Sequence, residues 1–215
     1  MQLISINIGQ ERSQQIGANL EVTGIYKIPA QGPARVTTLG IQGDFIASKK
    51  HHGGPDQAVY IYGGTDYAWW SHELGQEISP GTFGDNLTIS ELESAKFNIG
   101  DYLHIGEVTL QVTAPRIPCA TLATRMGDPQ FVKRFRRAER PGLYCRVTRE
   151  GTIEAGVDVT IESYRGETIP SIDLFRDYYR RNKKEETLRN FLKAPIAIRA
   201  RQDVENDLQK LLAQR

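Results

Sequence analysis

The sequence has few of the residues that usually announce a chemistry. Two cysteines and four histidines are spread over 215 positions. Cys119 and Cys145 stand alone, so there is no Cys-x-x-Cys zinc motif, and in a reducing compartment two such thiols are not expected to pair. No apolar run exceeds a few residues, which excludes a membrane-spanning helix. Charge of one sign is also missing: 27 basic against 26 acidic side chains leave +1, with no global pull toward nucleic acid or a membrane surface. The opening "MQLISINIGQ" lacks the basic and apolar regions of a secretory signal, so a cytoplasmic location is expected. Internal repeats and low-complexity segments are absent as well.

What is present is an ordinary globular composition, 39% hydrophobic and 25% charged, enough for one good core and a small appendage. Short β-branched runs recur between turn signals: "LISINI", "ARVTTL", "AVYIY", "NLTIS", "YLHI", "VTLQVTA", "LYCRVT" and "DVTIES". Gly106-Glu107 and Glu150-Gly151 read as hairpin turns. Many short strands at this spacing predict a mainly β fold, a closed or nearly closed barrel with short inserted helices. One helix is expected to start on Thr65 as N-cap and stop at Gly75, with Tyr67, Trp70 and Leu74 inward. A second is expected from Asp128 and Pro129, burying Phe131, Val132 and Phe135. Near Pro170 the pattern becomes helical, and three short helices are expected to the end of the chain. The predicted division is a β domain over 1–168 and a three-helix domain over 169–215. From Pro170 on, the tail carries +4 and the rest −3.

Candidate chemistry collects in a few stretches. In "TAPRIPCATL", Pro115 and Pro118 end a strand, because neither can donate to a ladder. Cys119 then falls at a strand-to-helix junction three residues after Arg116, where a helix N-terminus and a guanidinium both favour thiolate. The plainer alternative is a small buried hydrophobe, which is what "GLYCRVT" implies for Cys145. "KHHGGPDQ" holds His51 and His52 before Gly53, Gly54, Pro55 and Asp56. Neighbouring side chains of an extended segment point to opposite sides, so one histidine at most faces a given site. The two glycines allow a sharp turn and close backbone approach to a ligand. Asp56 is available as an anion or acceptor. Without an i, i+4 pair or a third local ligand, the stretch makes a poor metal site. Lys27 in "GIYKIPAQGP" either snorkels or holds an anion in a cleft. Asn86 after Gly84-Asp85, and Asp101 after Gly100, read as turn formers or ligand contacts. His72 and His104 read as solvated and structural. "KRFRRAER" reads as the solvated face of an amphipathic helix rather than a nucleic-acid patch.

Taken in order, "TGIYKIPAQGP", "GIQGD", "KHHGGPDQAVYIY", "FGDNLT", "IGDYLHIG" and "APRIPC" resemble the MOSC family, named for the C-terminal domain of molybdenum cofactor sulfurases, and within it the YiiM-like bacterial branch. The motifs run from about residue 22 to residue 145, and the helical tail fits the same branch. The resemblance implies a β-barrel whose cleft binds molybdopterin, with Cys119 as the molybdenum ligand. It places Lys27, Arg116, Asn86, Asp101, His52 and Asp56 around the cofactor or substrate. Beyond that match, Gly53 and Gly54 are expected to bring backbone close to the ligand, and His52 with Asp56 to work catalytically with Cys119 as proton donor and orienter. The family's general description also carries pyridoxal phosphate binding. One departure stands out: the family has glutamate where this chain has Asp85. The implied activity is reductive removal of oxygen from N-hydroxylated compounds such as 6-hydroxylaminopurine, a detoxification of base analogues. The positive charge of the tail reads either as the solvated surface of a helical bundle or as a docking face for an acidic flavoprotein reductase that supplies electrons. Neither nucleic acid nor membrane is an expected partner, while a homodimer is compatible. Two other readings stay open at this point: a cofactor or sulfur carrier without turnover, and a Cys-His hydrolase.

Overall fold

A computed structural model describes residues 1–47 and 53–213. In chain order the elements begin with β1 (Leu3–Gly9), β2 (Arg12–Ile16), β3 (Asn19–Thr23), β4 (Lys27–Pro29), β5 (Ala34–Thr37), β6 (Gly40–Ile41) and β7 (Val59–Gly63). Next come α1 (Gly64–Leu74), β8 (Leu87–Ile89), β9 (Tyr102–Ile105), β10 (Val108–Pro115), α2 (Ala120–Arg125) and α3 (Phe131–Ala138). The chain continues through β11 (Leu143–Arg149), β12 (Gly151–Ile153) and β13 (Val159–Glu162), and ends in α4 (Ser171–Tyr178), α5 (Glu185–Lys193) and α6 (Ile198–Ala213).

The main sheet has eight strands in the order β13-β9-β10-β11-β7-β8-β1-β4. Every pairing in it is antiparallel except β7 with β8, which α1 joins as a β-α-β crossover. All five residues of β7, "VYIYG", are buried, the pattern of a strand covered on both faces. Among the described residues, the ladders run as a mixed sheet from β13 to β4, and no ladder closes them into a barrel. An isolated antiparallel bridge joins Gln2 to Asp158, flanked by Leu3 N–H to Val157 O (2.9 Å) and Val159 N–H to Met1 O (2.8 Å). These bonds bring the β13 side of the sheet to the β1 side.

Gly106-Glu107 forms the β9–β10 turn as expected. Glu150-Gly151 does not form a hairpin: β12 leaves β11 and pairs with β5 instead, Gly151 opposite Val36, in a separate three-stranded sheet. The Glu150 side chain supports that departure by accepting the Thr38 N–H at 2.8 Å. The β2–β3 hairpin was not legible in the sequence, because "RSQQIGANLEVT" is polar along both strands and has little inward alternation.

Helix α1 stops at Gly75 in the left-handed conformation, as expected, but begins one residue before Thr65, with Gly63 in the N-cap position. Trp70 is fully buried and donates to the Tyr62 hydroxyl at 2.7 Å, and that hydroxyl donates to Arg140 O at 2.8 Å. Phe131 and Phe135 of α3 pack against the same ring system. Asp128 precedes α3 by three residues rather than capping it, and accepts the Gln130 N–H at 2.7 Å. The three tail helices are present. Leu174, Leu188, Phe191 and Val204 join one packed cluster with Leu3, Ile61 and Leu110 of the sheet. Tyr178 of α4 is 55% exposed. Among the described residues, no helix is long and apolar enough to cross a membrane.

Candidate functional site

A cleft of about 840 Å³ opens between the sheet side of the molecule and the tail helices. Lys27, Asp44, Tyr60, Asn86, Arg116, Cys119 and Tyr144 line its sheet side, while Leu174, Asp177 and Tyr178 of α4 and Arg199, Ala200, Val204 and Asp207 of α6 face it from the tail.

Strand β10 ends at Pro115, and the Pro118 bend delivers Cys119 to the N-cap of α2. Its carbonyl accepts the Leu122 and Ala123 N–H groups at 3.1 and 3.2 Å, starting the helix, while its thiol is half-buried beside the cleft. Arg116 is buried beneath it. One guanidinium nitrogen donates to Phe83 O at 2.7 Å, and the plane lies 4.9 Å from the Tyr60 ring centre. Burial opposes the Arg116 charge, but the Tyr144 and Tyr60 hydroxyls and the neighbouring Cys119 sulfur outweigh it and hold the cation firm. The Arg116 Nε is buried without a hydrogen-bond partner among the described residues. Gly84, at φ 76°, leaves room for this packing, since a methyl group there would come within 3.1 Å of the guanidinium.

Lys27, at the first position of β4, is 8% exposed. Its ammonium is clamped by both oxygens of Asp44. Burial pushes its pKa below the ordinary lysine value, and Asp44 partly restores it. Asp44 also accepts the Gly9 N–H at 2.7 Å and an Asn86 side-chain N–H at 2.9 Å. Sequence reasoning missed Asp44 as a site residue. Its signal was the "GIQGD" motif, whose Gly43-Asp44 pair reads as a turn. Asn86 is a tie as much as a lining residue: its Oδ1 accepts the Tyr60 N–H at 3.1 Å. Asp85 is wholly buried. It accepts from the Tyr67 hydroxyl at 2.5 Å, Thr88 Oγ1 at 2.7 Å and Asn7 Nδ2 at 3.3 Å, so the shorter carboxylate is fully employed. Burial raises its pKa, and the Tyr67 and Thr88 bonds oppose that.

Two expected site residues lie elsewhere. Asp56 does not line the cleft. Its Oδ1 is 3.0 Å from Arg146 Nε and its Oδ2 accepts the Ile198 N–H at 2.8 Å, so it anchors the start of α6. Asp101 accepts the Asn98 and Tyr164 backbone N–H groups at 2.9 and 3.1 Å, serving a turn, and is not among the residues that line the cleft. Gly53 lines the cleft, and Gly53 and Gly54 have φ of 74° and 84°, conformations that L side chains rarely adopt. His51 and His52 lie outside the described residues. Cys145 is core, with its thiol pKa raised well above the ordinary value by burial. His72 is exposed on α1, and His104 bridges Thr109 and Glu162 on the sheet. Among the described residues, no group of three His, Cys, Asp or Glu could hold a metal ion.

Residues 48–160, more than half of the chain, match the MOSC domain family, and the chain belongs to it. Among its relatives is the uncharacterized protein YflK of Bacillus subtilis (strain 168), 33% identical over 165 residues, spanning 77% of this chain and 74% of that one. YiiM of Escherichia coli (strain K12) is 30% identical over 145 residues, spanning 66% and 64%. A Gibberella moniliformis protein named "Reductase" is 31% identical over 163 residues, spanning 74% of this chain but 29% of that one. Among solved structures, YiiM from Geobacillus stearothermophilus superposes with a TM-score of 0.78 at 26% identity, over 96% of this chain and 98% of that one. YiiM from Escherichia coli, at 20% identity and a TM-score of 0.76, shares the fold.

Proposed function

We propose that this chain is a molybdenum-cofactor-dependent reductase that removes oxygen from N-hydroxylated compounds such as 6-hydroxylaminopurine. The observation that carries the reading is the donor set of the cleft. It offers one half-buried thiol beside a buried guanidinium with an unused Nε, and, among the described residues, no group of three His, Cys, Asp or Glu that would hold a metal by itself. A lone thiolate suits a soft metal whose other ligands arrive with a cofactor, and the cations suit an anionic pterin. Cys119 would be the protein's molybdenum ligand, with Arg116, Lys27, Asn86 and the Gly53–Gly54 backbone around the pterin. Pyridoxal phosphate fits poorly, because the buried lysine of the sheet side, Lys27, is locked onto Asp44 rather than free to condense. The bridge between Gln2 and Asp158 is read as the seam along which the sheet approaches a barrel.

When bound, the cofactor supplies the two-electron change that takes oxygen from N–OH, leaving the amine and water once two protons have arrived. The chain's own residues supply position and protons. Arg116 and Asn86 are fixed by packing and hydrogen bonds, so they meet a ligand with little reorganisation. Lys27 is a described group suited to give a proton, since burial already weakens its hold on one. His52 is assigned the same role. Asp56, committed to Arg146 and α6, is not assigned as its orienter.

Electrons would come from an acidic flavoprotein docking on the basic tail. Arg180, Arg181 and Lys184 are exposed there, whereas Lys183 is held by Asp177 at 2.7 Å and reaches Asp207 at 3.6 Å. Charge reversal at the three exposed residues should raise the reductase concentration needed for turnover, and an unchanged requirement at low salt would refute the docking face. The reductase reading itself is tested by a viologen-coupled assay of cofactor-loaded protein with 6-hydroxylaminopurine, in which viologen oxidation and adenine formation are expected. Stoichiometric molybdenum with no consumption of substrate would make the chain a carrier instead.

A further inference from the structure

The tail is a wall of the cleft, and it brings a second guanidinium. Arg199, in the first turn of α6, lines the cleft and donates to Gln57 Oε1 at 2.9 Å. Its Nη2 would lie 3.9 Å from a methyl group placed on Gly54, so the guanidinium stands over the Gly53–Gly54 turn. That turn leaves backbone uncovered by side chains, the kind of surface to which an anion can come close. From the sheet side, Arg116 lies against Tyr60, whose ring centre is 5.0 Å from that of Tyr144. Both guanidiniums bear on the Tyr144 hydroxyl, favouring its ionised form against burial. Two cations thus act on Tyr144 from opposite sides of the cleft, and three of the acids near them are paired: Asp44 with Lys27, Asp56 with Arg146 and α6, Asp177 with Lys183. A planar guanidinium presents paired donors that match phosphoryl oxygens.

We infer that Arg199, with Arg116 and the Gly53–Gly54 backbone, forms a subsite for a phosphoryl group, so that the tail helix grips the phosphorylated end of the ligand in the cleft. The inference rests on reading that cleft as the ligand site, and it extends the site beyond the motif-bearing residues to α6. It also gives Asp56 a purpose, because the carboxylate that holds the α6 N-terminus fixes where Arg199 emerges one residue later.

The test uses the full chain from a host that makes no molybdenum cofactor, titrated calorimetrically with inorganic phosphate at low salt. Wild type is expected to bind, Arg199→Ala to bind at least about tenfold more weakly, and Arg199→Lys to fall between them. Arg189→Ala, an equal charge loss on the exposed face of α5, is expected to match wild type. No binding by wild type, an Arg199→Ala affinity within twofold of it, or an equal loss in Arg189→Ala would overturn the subsite. Matching melting temperatures confirm that the variants fold. In a cofactor-producing host, pterin content identifies the source of the phosphoryl group. A fall in Arg199→Ala makes it the cofactor's, and unchanged pterin with weakened phosphate binding makes it a phosphorylated substrate's. Failure of the reductase reading would leave the phosphate titration intact, so the two are separable.

Discussion

The ion pair at the sheet side of the cleft makes a quantitative prediction. Replacing Asp44 by alanine strands the Lys27 ammonium at a position 8% exposed, and removes the acceptor of the Gly9 N–H and an Asn86 N–H. Breaking one partner of a buried pair typically costs about 3–5 kcal/mol. Water entering from the cleft can solvate part of Lys27, so the expected cost is at the low end, about 3 kcal/mol. For a chain of this size that corresponds to a fall in Tm of roughly 6–12 °C. Lys27→Met in the same background removes the stranded charge. The double variant should therefore recover stability relative to Asp44→Ala alone, with a coupling of about 2 kcal/mol. The assay is urea unfolding of the four proteins at one pH, read by tryptophan fluorescence and far-UV dichroism. Two single costs that simply add, or an Asp44→Ala cost below about 1 kcal/mol, would refute the claim that this pair is buried and mutually dependent.

Three further outcomes are expected. Asp85 has a folded pKa above its unfolded value of 3.8, so its carboxylate penalises folding above the folded pKa, and the penalty vanishes as pH falls through it toward 3.8. The stability of Asp85→Asn relative to wild type should accordingly be best near neutral pH and worsen as pH falls through that window, and a flat difference from pH 7 to pH 3 would contradict it. Iodoacetamide should label Cys119 but not Cys145 in the native protein and both after denaturation, since the first is half-buried at the cleft and the second is in the core with its thiol pKa raised. Two labels on the folded chain would be inconsistent with this arrangement. Asp56→Ala should cost about 1–2 kcal/mol, as for the loss of a helix cap. It should also speed amide hydrogen exchange in the first turn of α6, and unchanged exchange there would count against the anchoring role.

Much of the fold was legible where local signals and tertiary demand agree. The β-branched runs became strands, Gly75 ended α1, and Pro115 and Pro118 placed Cys119 at a strand-to-helix junction. The failures have physical causes. The β2–β3 hairpin is paired backbone with little buried side-chain surface, so it leaves no hydrophobic period to read. Glu150-Gly151 has the chemistry of a hairpin turn, but β5 offers the strand after it another partner. Thr65 looks like an N-cap, yet α1 begins straight out of β7 with glycine in that place. In the site, Lys27, Asn86, Arg116 and Cys119 line one cleft. Asp44, Asp56 and Asp101 could not be sorted from sequence. All three follow or flank turn residues, and only their partners distinguish a lysine clamp from a helix anchor and a turn tie. Arg199 carried no motif at all. Its place in the cleft comes from the way α6 folds back on the sheet.

The central claim is that a single thiol holds the metal of a cofactor in this cleft. The most direct measurement is the molybdenum content of freshly purified Cys119→Ala and wild type made side by side in a molybdenum-replete, cofactor-producing host. Bound metal in wild type, and its loss in a Cys119→Ala protein that melts normally, are the predicted result. Molybdenum at wild-type occupancy in that variant, or none in wild type, would contradict it.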